Sequence, residues 1–350
     1  MIFPKVFCES FVKESSKKKY VYGINKYGQS ISRLVKIDGF IDDFTDQGEF
    51  QGIPIYKIHE IEQGSLIVSS IIGIYPWRIL RKLLSLKHEF LDYFSFFKYS
   101  SLPIEPVEYW IGFEEDYKFN IKFYEQFESK LNDAHSIETY KNILDFRKNM
   151  NINAMLGYKD NQDNQYFEDF LNLQDNGEVF LDVGSYDGKT SLEFIKRCPK
   201  FEKVYLFDPS DNNLKLAKEN LKNYKNVKYC TFGLSNKEQK VLFEENGSCS
   251  RVAPNGGFEI QLKKLDDVFC GMATFIKMDI EGGEVDALKG AKEVILRCHP
   301  RLAVAVYHNA EDLRVIPELV LSIRGDYSIY LRHYTEGLVE TVMFFIPKNL

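Results

Sequence analysis

Cysteine is sparse and unpatterned in this chain of 350 residues. Cys8, Cys198, Cys230, Cys249, Cys270 and Cys298 stand without CxxC or metal-type spacing. That excludes a zinc ribbon or a disulfide scaffold and predicts reduced thiols in a cytoplasmic protein. The N-terminal residues lack the apolar core of a signal peptide, and no apolar run reaches transmembrane length, so no membrane span is expected. Basic runs are short too: Lys17-Lys18-Lys19 is the longest, and 45 basic against 51 acidic residues leave a net charge of -6. Duplex nucleic acid and anionic membranes are therefore poor partners. Internal repeats and low-complexity tracts are absent. A hydrophobic content of 44% is enough for sizeable cores, and the length predicts two domains or one with a large appendage.

What is present divides into three regions. Residues 1–109 read as a small α/β domain, with strands around 20–22, 38–43, 52–56 and 66–70 and a helical run through Leu34. Residues 110–176 are polar, rich in Phe and Tyr and read as a helical connector. Its aromatics suit either a homodimer interface or a bridge between domains. Residues 177–350 alternate strands and helices. Strands are expected at 179–182, 203–207, 227–232, 275–278, 302–307, 328–332 and 340–346. Helices are expected at 189–197, 211–223, 284–297 and 312–323. A tight turn at 335–337 predicts that the last two strands are antiparallel.

The densest signal is Val179-Phe-Leu-Asp182-Val-Gly184-Ser185-Tyr186-Asp-Gly188, a buried strand that opens into a glycine turn before a helix. Such turns usually seat phosphates. Here Asp182 occupies the place where a pyrophosphate would lie, and an acid there favours a cationic nucleoside, S-adenosylmethionine. Gly184 and Gly188 let the backbone approach it. Asp208-Pro209 ends the second strand, where a carboxylate can accept both ribose hydroxyls. Gly233-Leu234 ends the third, where an adenine ring would rest. Each taken singly has an ordinary structural explanation as a cap or turn residue. The rival is an NAD-dependent oxidoreductase acting on a sugar, but the spacing is GxxxG rather than GxGxxG.

A second motif, Lys277-Met-Asp279-Ile-Glu281-Gly-Gly-Glu284, ends the fourth strand. Asp279 and Glu281, two apart in extended chain, project to one side. Glu281 and Glu284 could equally offset a helix dipole. Tyr307-His308 ends the fifth strand and Arg332-His333 the sixth. Asp279, His308 and His333 are the expected catalytic groups, with His308 as general base. Glu281, Glu284, Tyr307 and Arg332 are expected to hold the substrate. Asp279 and Glu281 could bind Mg²⁺ through waters.

These motifs, with Val306-Tyr-His308-Asn-Ala-Glu-Asp312 and Glu340-Thr-Val, resemble the FkbM family of S-adenosylmethionine-dependent O-methyltransferases over residues 177–347. Asp187 departs from the family, which more often has a neutral residue there. The resemblance implies a class I, seven-stranded Rossmann-like methyltransferase domain, α/β in class, preceded by the small α/β domain. It also implies methylation of a hydroxyl on a sugar or polyketide-type metabolite. A sugar acceptor, nucleotide-activated or a glycan precursor for surface polysaccharide, is the expected small-molecule partner. A non-catalytic nucleotide-sugar-binding protein is the alternative.

In the first region, Gly23-x-x-x-x-Gly28-Gln29-Ser30 lacks the lysine of a Walker A loop. The runs 39–43 and 52–56 resemble the small Rossmann-like domain that precedes some sugar-modifying acyltransferases. Docking or dimerisation is the other reading of this region.

Overall fold

The computed structural model describes residues 3–13, 16–244, 251–252 and 256–348; Cys249 lies outside them. The chain divides into two compact units. The first comprises Met1–Glu114, Thr139–Gln162 and His333–Val339, the second Glu115–Glu138, Asp163–Arg332 and Glu340–Leu350.

In the first unit, β1 (Lys19–Tyr22), β2 (Gly39–Ile41), β3 (Glu49–Phe50), β4 (Ile53–Tyr56), β5 (Leu66–Ser69) and β6 (Glu89–Asp92) form one sheet in the order β3-β4-β2-β1-β5-β6. All its pairs are parallel except β3 with β4. β1 and β5 are buried along their whole length, as parallel strands covered on both faces must be. The sheet is larger than expected: β4 lies where an edge element was expected, but β6 and β3 were not anticipated.

The second unit carries a seven-stranded sheet. Its strands are β7 (Val179–Val183), β8 (Lys203–Phe207), β9 (Val227–Cys230), β14 (Phe275–Met278), β15 (Arg301–Ala305), β16 (Tyr327–His333) and β17 (Thr341–Pro347). Their order, β16-β17-β15-β14-β7-β8-β9, is that of a class I methyltransferase. β14, β7, β8 and β9 run parallel, while β17 is antiparallel to β15. The order reverses between β7 and β14, so a crevice opens at their carboxyl ends.

Three expectations fail in this unit. The helix expected at 284–297 is broken into Glu284–Lys289 and Lys292–Cys298. At the break, a Cβ on Gly290 would lie 2.0 Å from the Ser235 carbonyl oxygen, so chain contact interrupts the helix there. The link from β16 to β17 is longer than a tight turn, and its residues 333–339 count with the first unit. There Glu336 accepts from Arg78 N at 2.6 Å and pairs with Arg81. A second sheet was missed altogether: β10 (Gly233–Leu234), β11 (Gln239–Glu244), β12 (Arg251–Val252) and β13 (Phe258–Lys263), in the order β10-β13-β11-β12. Phe243, Ile260 and Leu262 form its small core. Among the described residues, no helix is long and apolar enough to cross a membrane.

Candidate active site

A cavity of about 300 Å³ opens at the switch between β7 and β14. Gly184 and Tyr186 from the first turn, Asp208 and Pro209 after β8, and Gly233 and Leu234 of β10 line one side. Asp279, Glu281 and Gly282 line another, and Val241, Phe243, Ile260 and Leu262 of the small sheet give an apolar wall. Among the described residues, the lining carries four carboxylates, Asp208, Asp279, Glu281 and Asp286, and no lysine, arginine or histidine.

Gly184 sits at φ +79°, and a Cβ there would fall 1.8 Å from the Asp279 carbonyl oxygen. Only glycine lets the ends of β7 and β14 meet this closely. Gly188, at φ +76°, instead gives room to Ala217, 3.2 Å from its would-be Cβ at the Cα, and so serves helix packing. Ser185 is buried outside the cavity lining.

Asp182 does not meet the cavity. It is 0% exposed and faces Lys277, its register partner on β14, at 3.4 Å. Ser191 Oγ donates to its other oxygen at 2.7 Å. Burial pushes its carboxyl up, against the pull of Lys277. Lys277 in turn donates to the Gly184 carbonyl at 2.7 Å, so Asp182 acts on the glycine turn through a lysine. The sequence reading missed Lys277, although a lysine inside the four-residue apolar strand Phe-Ile-Lys-Met was a visible anomaly.

Asp208 does face the cavity. It accepts from Tyr186 N at 3.0 Å, Ser210 N at 2.8 Å and Asn213 Nδ2 at 3.2 Å. Burial drives its carboxyl up to about 6 even against these donors. Ser210 also caps the helix Asp211–Asn220, which brings Asn213 to the site.

His308 is buried among three acids. Its Nδ1 is 3.0 Å from Glu284, and its Nε2 is 3.5 Å from Asp279 and 3.4 Å from Glu281. Burial opposes its charge, but Glu284, then Asp279 and Glu281, outweigh burial and lift it to about 10. These acids favour the charged imidazolium, which speaks against the expected role of His308 as general base. Tyr307 packs on this ring at 4.0 Å between centroids. Glu284 has no exposed surface; it accepts from Ile280 N at 2.8 Å and Gly282 N at 3.1 Å and so holds the turn and the imidazolium rather than a ligand.

The donor set does not fit Mg²⁺. That ion takes oxygen ligands with retained waters, whereas the ligand atoms gathered here, from Asp279, Glu284 and His308 within 4.8 Å of one another, include an imidazole nitrogen. A metal bound through it would first have to displace its proton.

Arg332 and His333 are not brought to the cavity lining. Arg332 pairs with Asp133 at 2.7 Å, bonds Ser136 Oγ at 2.8 Å and lies over the Phe170 ring. Against burial, Arg332 and Ser136 draw Asp133 down to about 2. His333 belongs to the first unit, edge-on to Tyr158, and burial, aided by Arg147, lowers it to about 3.

Tyr166 and Gln165, also missed, meet Asp279: Gln165 Nε2 donates to Tyr166 Oη at 2.9 Å, and Tyr166 Oη donates to Asp279 Oδ2. Backbone strain gathers around the site as well. Tyr166 (φ +72°), Tyr186 (+45°) and Glu281 (+55°) lie in the left-handed region without being glycine, which costs about 1–3 kcal/mol each and concentrates at working sites.

Comparison with known proteins gives the following. The family profile described as "Methyltransferase FkbM domain" matches residues 182–325. A crystal structure of methyltransferase FkbM from Methylobacillus flagellatus KT superposes with TM-score 0.77 and 23% identity over 98% of this chain and 92% of that one, so the fold is shared. An rRNA methylase from Streptococcus thermophilus overlaps 51% of this chain and 92% of its own at TM-score 0.35 and 16% identity. No curated protein matches. Over residues 182–325, then, the chain is similar to the FkbM methyltransferase domain, in a fold shared with a solved FkbM methyltransferase.

Proposed function

We propose that the chain moves a methyl group from S-adenosylmethionine to a hydroxyl of a sugar, nucleotide-activated or part of a glycan precursor, in surface-polysaccharide assembly. The observation that carries the cofactor reading is the cavity lining, which among the described residues has four carboxylates and no basic side chain. Such a lining repels a pyrophosphate and attracts a ligand with ammonium and sulfonium charge. This disfavours NAD on different residues from those first suspected, since Asp182 takes no part.

The cofactor's sulfonium would supply an electrophilic methyl. In this reading Asp208 accepts the ribose hydroxyls, and the wall of Val241, Phe243, Ile260 and Leu262 excludes water around the base. Of the neighbouring carboxylates Asp279 and Glu281 on the cavity wall, this reading gives the first to the charged end of the cofactor and the second to the acceptor hydroxyl, whose proton it would take. His308, already charged, holds those two carboxylates in place and offsets their mutual repulsion. The sugar acceptor is supported by the FkbM resemblance and by the paired carboxylates, which suit hydroxyl donors.

Calorimetry with S-adenosylmethionine tests the cofactor reading: heat of binding is expected, and its absence in folded protein would sink it. Incubation with nucleotide-activated sugars tests the acceptor by a mass gain of one methyl group.

A further inference from the structure

Asp279 reaches the cavity wall, yet its carboxylate is oriented from outside that wall. Gln165, Tyr166 and Glu340 are not among the residues lining the cavity, so they can act on a ligand there through Asp279. Gln165 Nε2 donates both to Glu340 Oε2 and to Tyr166 Oη. Tyr166 then donates to Asp279 Oδ2, leaving Oδ1 on the side of His308, at 3.5 Å. Each oxygen of Asp279 thus has a defined neighbour.

Three further observations point the same way. Tyr166 and Glu340 both carry a Cβ at positive φ, +72° and +70°, a conformation kept only where the surroundings fix it. Burial first, and Asp279 next, hold the Tyr166 phenol well above its ordinary range, so it remains a donor. Lys277 lies 5.3 Å from the Tyr166 ring, which ties this chain of bonds to the lysine beneath the glycine turn.

We propose that Gln165 and Tyr166 are positioning residues that lock the Asp279 carboxylate toward the cationic methionyl end of S-adenosylmethionine, with Glu340 anchoring Gln165. The inference rests on the cofactor reading above. It predicts that the chain of bonds matters for the charged end of the ligand and not for its adenosine.

The test is calorimetry of wild type, Y166F, Q165L and D279N with two probes, S-adenosylmethionine and 5′-methylthioadenosine, which lacks the ammonium and sulfonium. Y166F should weaken S-adenosylmethionine by roughly 10-fold or more, as expected for a hydrogen bond to a charged group. Q165L should weaken it less, and both should leave methylthioadenosine within about twofold. In the D279N background, Y166F should add nothing, because the two act as one unit. Equal weakening of both probes, or a Y166F effect on S-adenosylmethionine below twofold, overturns the proposal. Loss of the native melting transition in both Y166F and Q165L would make these residues packing elements and overturn it as well. If wild type binds methylthioadenosine but not S-adenosylmethionine, the cofactor reading falls, and this inference with it.

Discussion

After β1 the chain turns through Gly23 into a helix that contains Gly28, and after β7 through Gly184 and Gly188 into another; the strand that follows is succeeded by Asp42 and Asp43 in the first case and by Asp208 in the second. The first turn is closed by its own neutral groups. Asn25 accepts from Tyr27 N and Gly28 N and donates to the Ser70 carbonyl, while Ser70 Oγ donates to the Tyr22 carbonyl at 2.8 Å. Asp43 is likewise satisfied. Although burial raises it, Ile58 N, Lys82 and the Tyr22 hydroxyl together bring it below the usual carboxylate range. The second turn is held by a buried charge, Lys277, and opens on a cavity where Asp208 has only amide donors and stays raised to about 6. Two turns with similar sequence punctuation thus differ in whether the acid that follows is already paired or still available to a ligand.

The largest effect that could break this comparison comes from Lys277. K277M leaves Asp182 buried without its cation and should destabilise by about 3–5 kcal/mol. S70A in the first turn should cost about 1 kcal/mol. Denaturant midpoints measure both, and equal losses would mean the two turns are held alike. Next comes the pair of acids. D208A should weaken S-adenosylmethionine by about 10- to 150-fold, the 1.5–3 kcal/mol of hydrogen bonds to a charged group. D43A should leave that affinity within about twofold.

The pH dependence of stability sharpens the same contrast. His308 is raised from 6.5 to about 10. Its stabilising contribution is therefore complete below pH 6.5, where folded and unfolded chains both hold the proton. It declines as pH rises toward 10, because only the folded form still binds that proton. A melting temperature falling by several °C between pH 7 and 9.5 is expected, since linkage over that window amounts to about 3 kcal/mol, with a shallower slope in H308Q. An identical slope in the variant would place the titration elsewhere. The smallest effect is expected from EDTA, which should leave S-adenosylmethionine affinity unchanged, because His308 serves as the cluster's cation.

Much of the second unit was legible in advance. Strands 203–207 and 275–278 and helices 189–197 and 312–323 were read to the residue, since short apolar runs and amphipathic helices between turn residues carry their own bounds. The small sheet was not legible. Its strands Gln239–Glu244 and Phe258–Lys263 mix exposed and buried positions, and they pair with each other across a gap in sequence. Of the site, Gly184, Tyr186, Asp208, Pro209, Gly233, Leu234, Asp279 and Glu281 were named and do line the cavity, because strand ends in a doubly wound sheet converge whatever the rest of the chain does. Gln165, Tyr166 and Lys277 were missed, the first two because they reach Asp279 from more than 100 residues away.

The order of elements, the glycines at the turns and the acids at the strand ends follow from the sequence alone, since these are local properties of backbone freedom and apolar period. Which way Asp182 faces depended on register. Pairing opposite Lys277 turned it inward, and a strand by itself does not specify the side on which its neighbour will place a lysine. The charge of His308 was likewise decided only in three dimensions, because burial and three carboxylates act on one ring after distant segments have packed together.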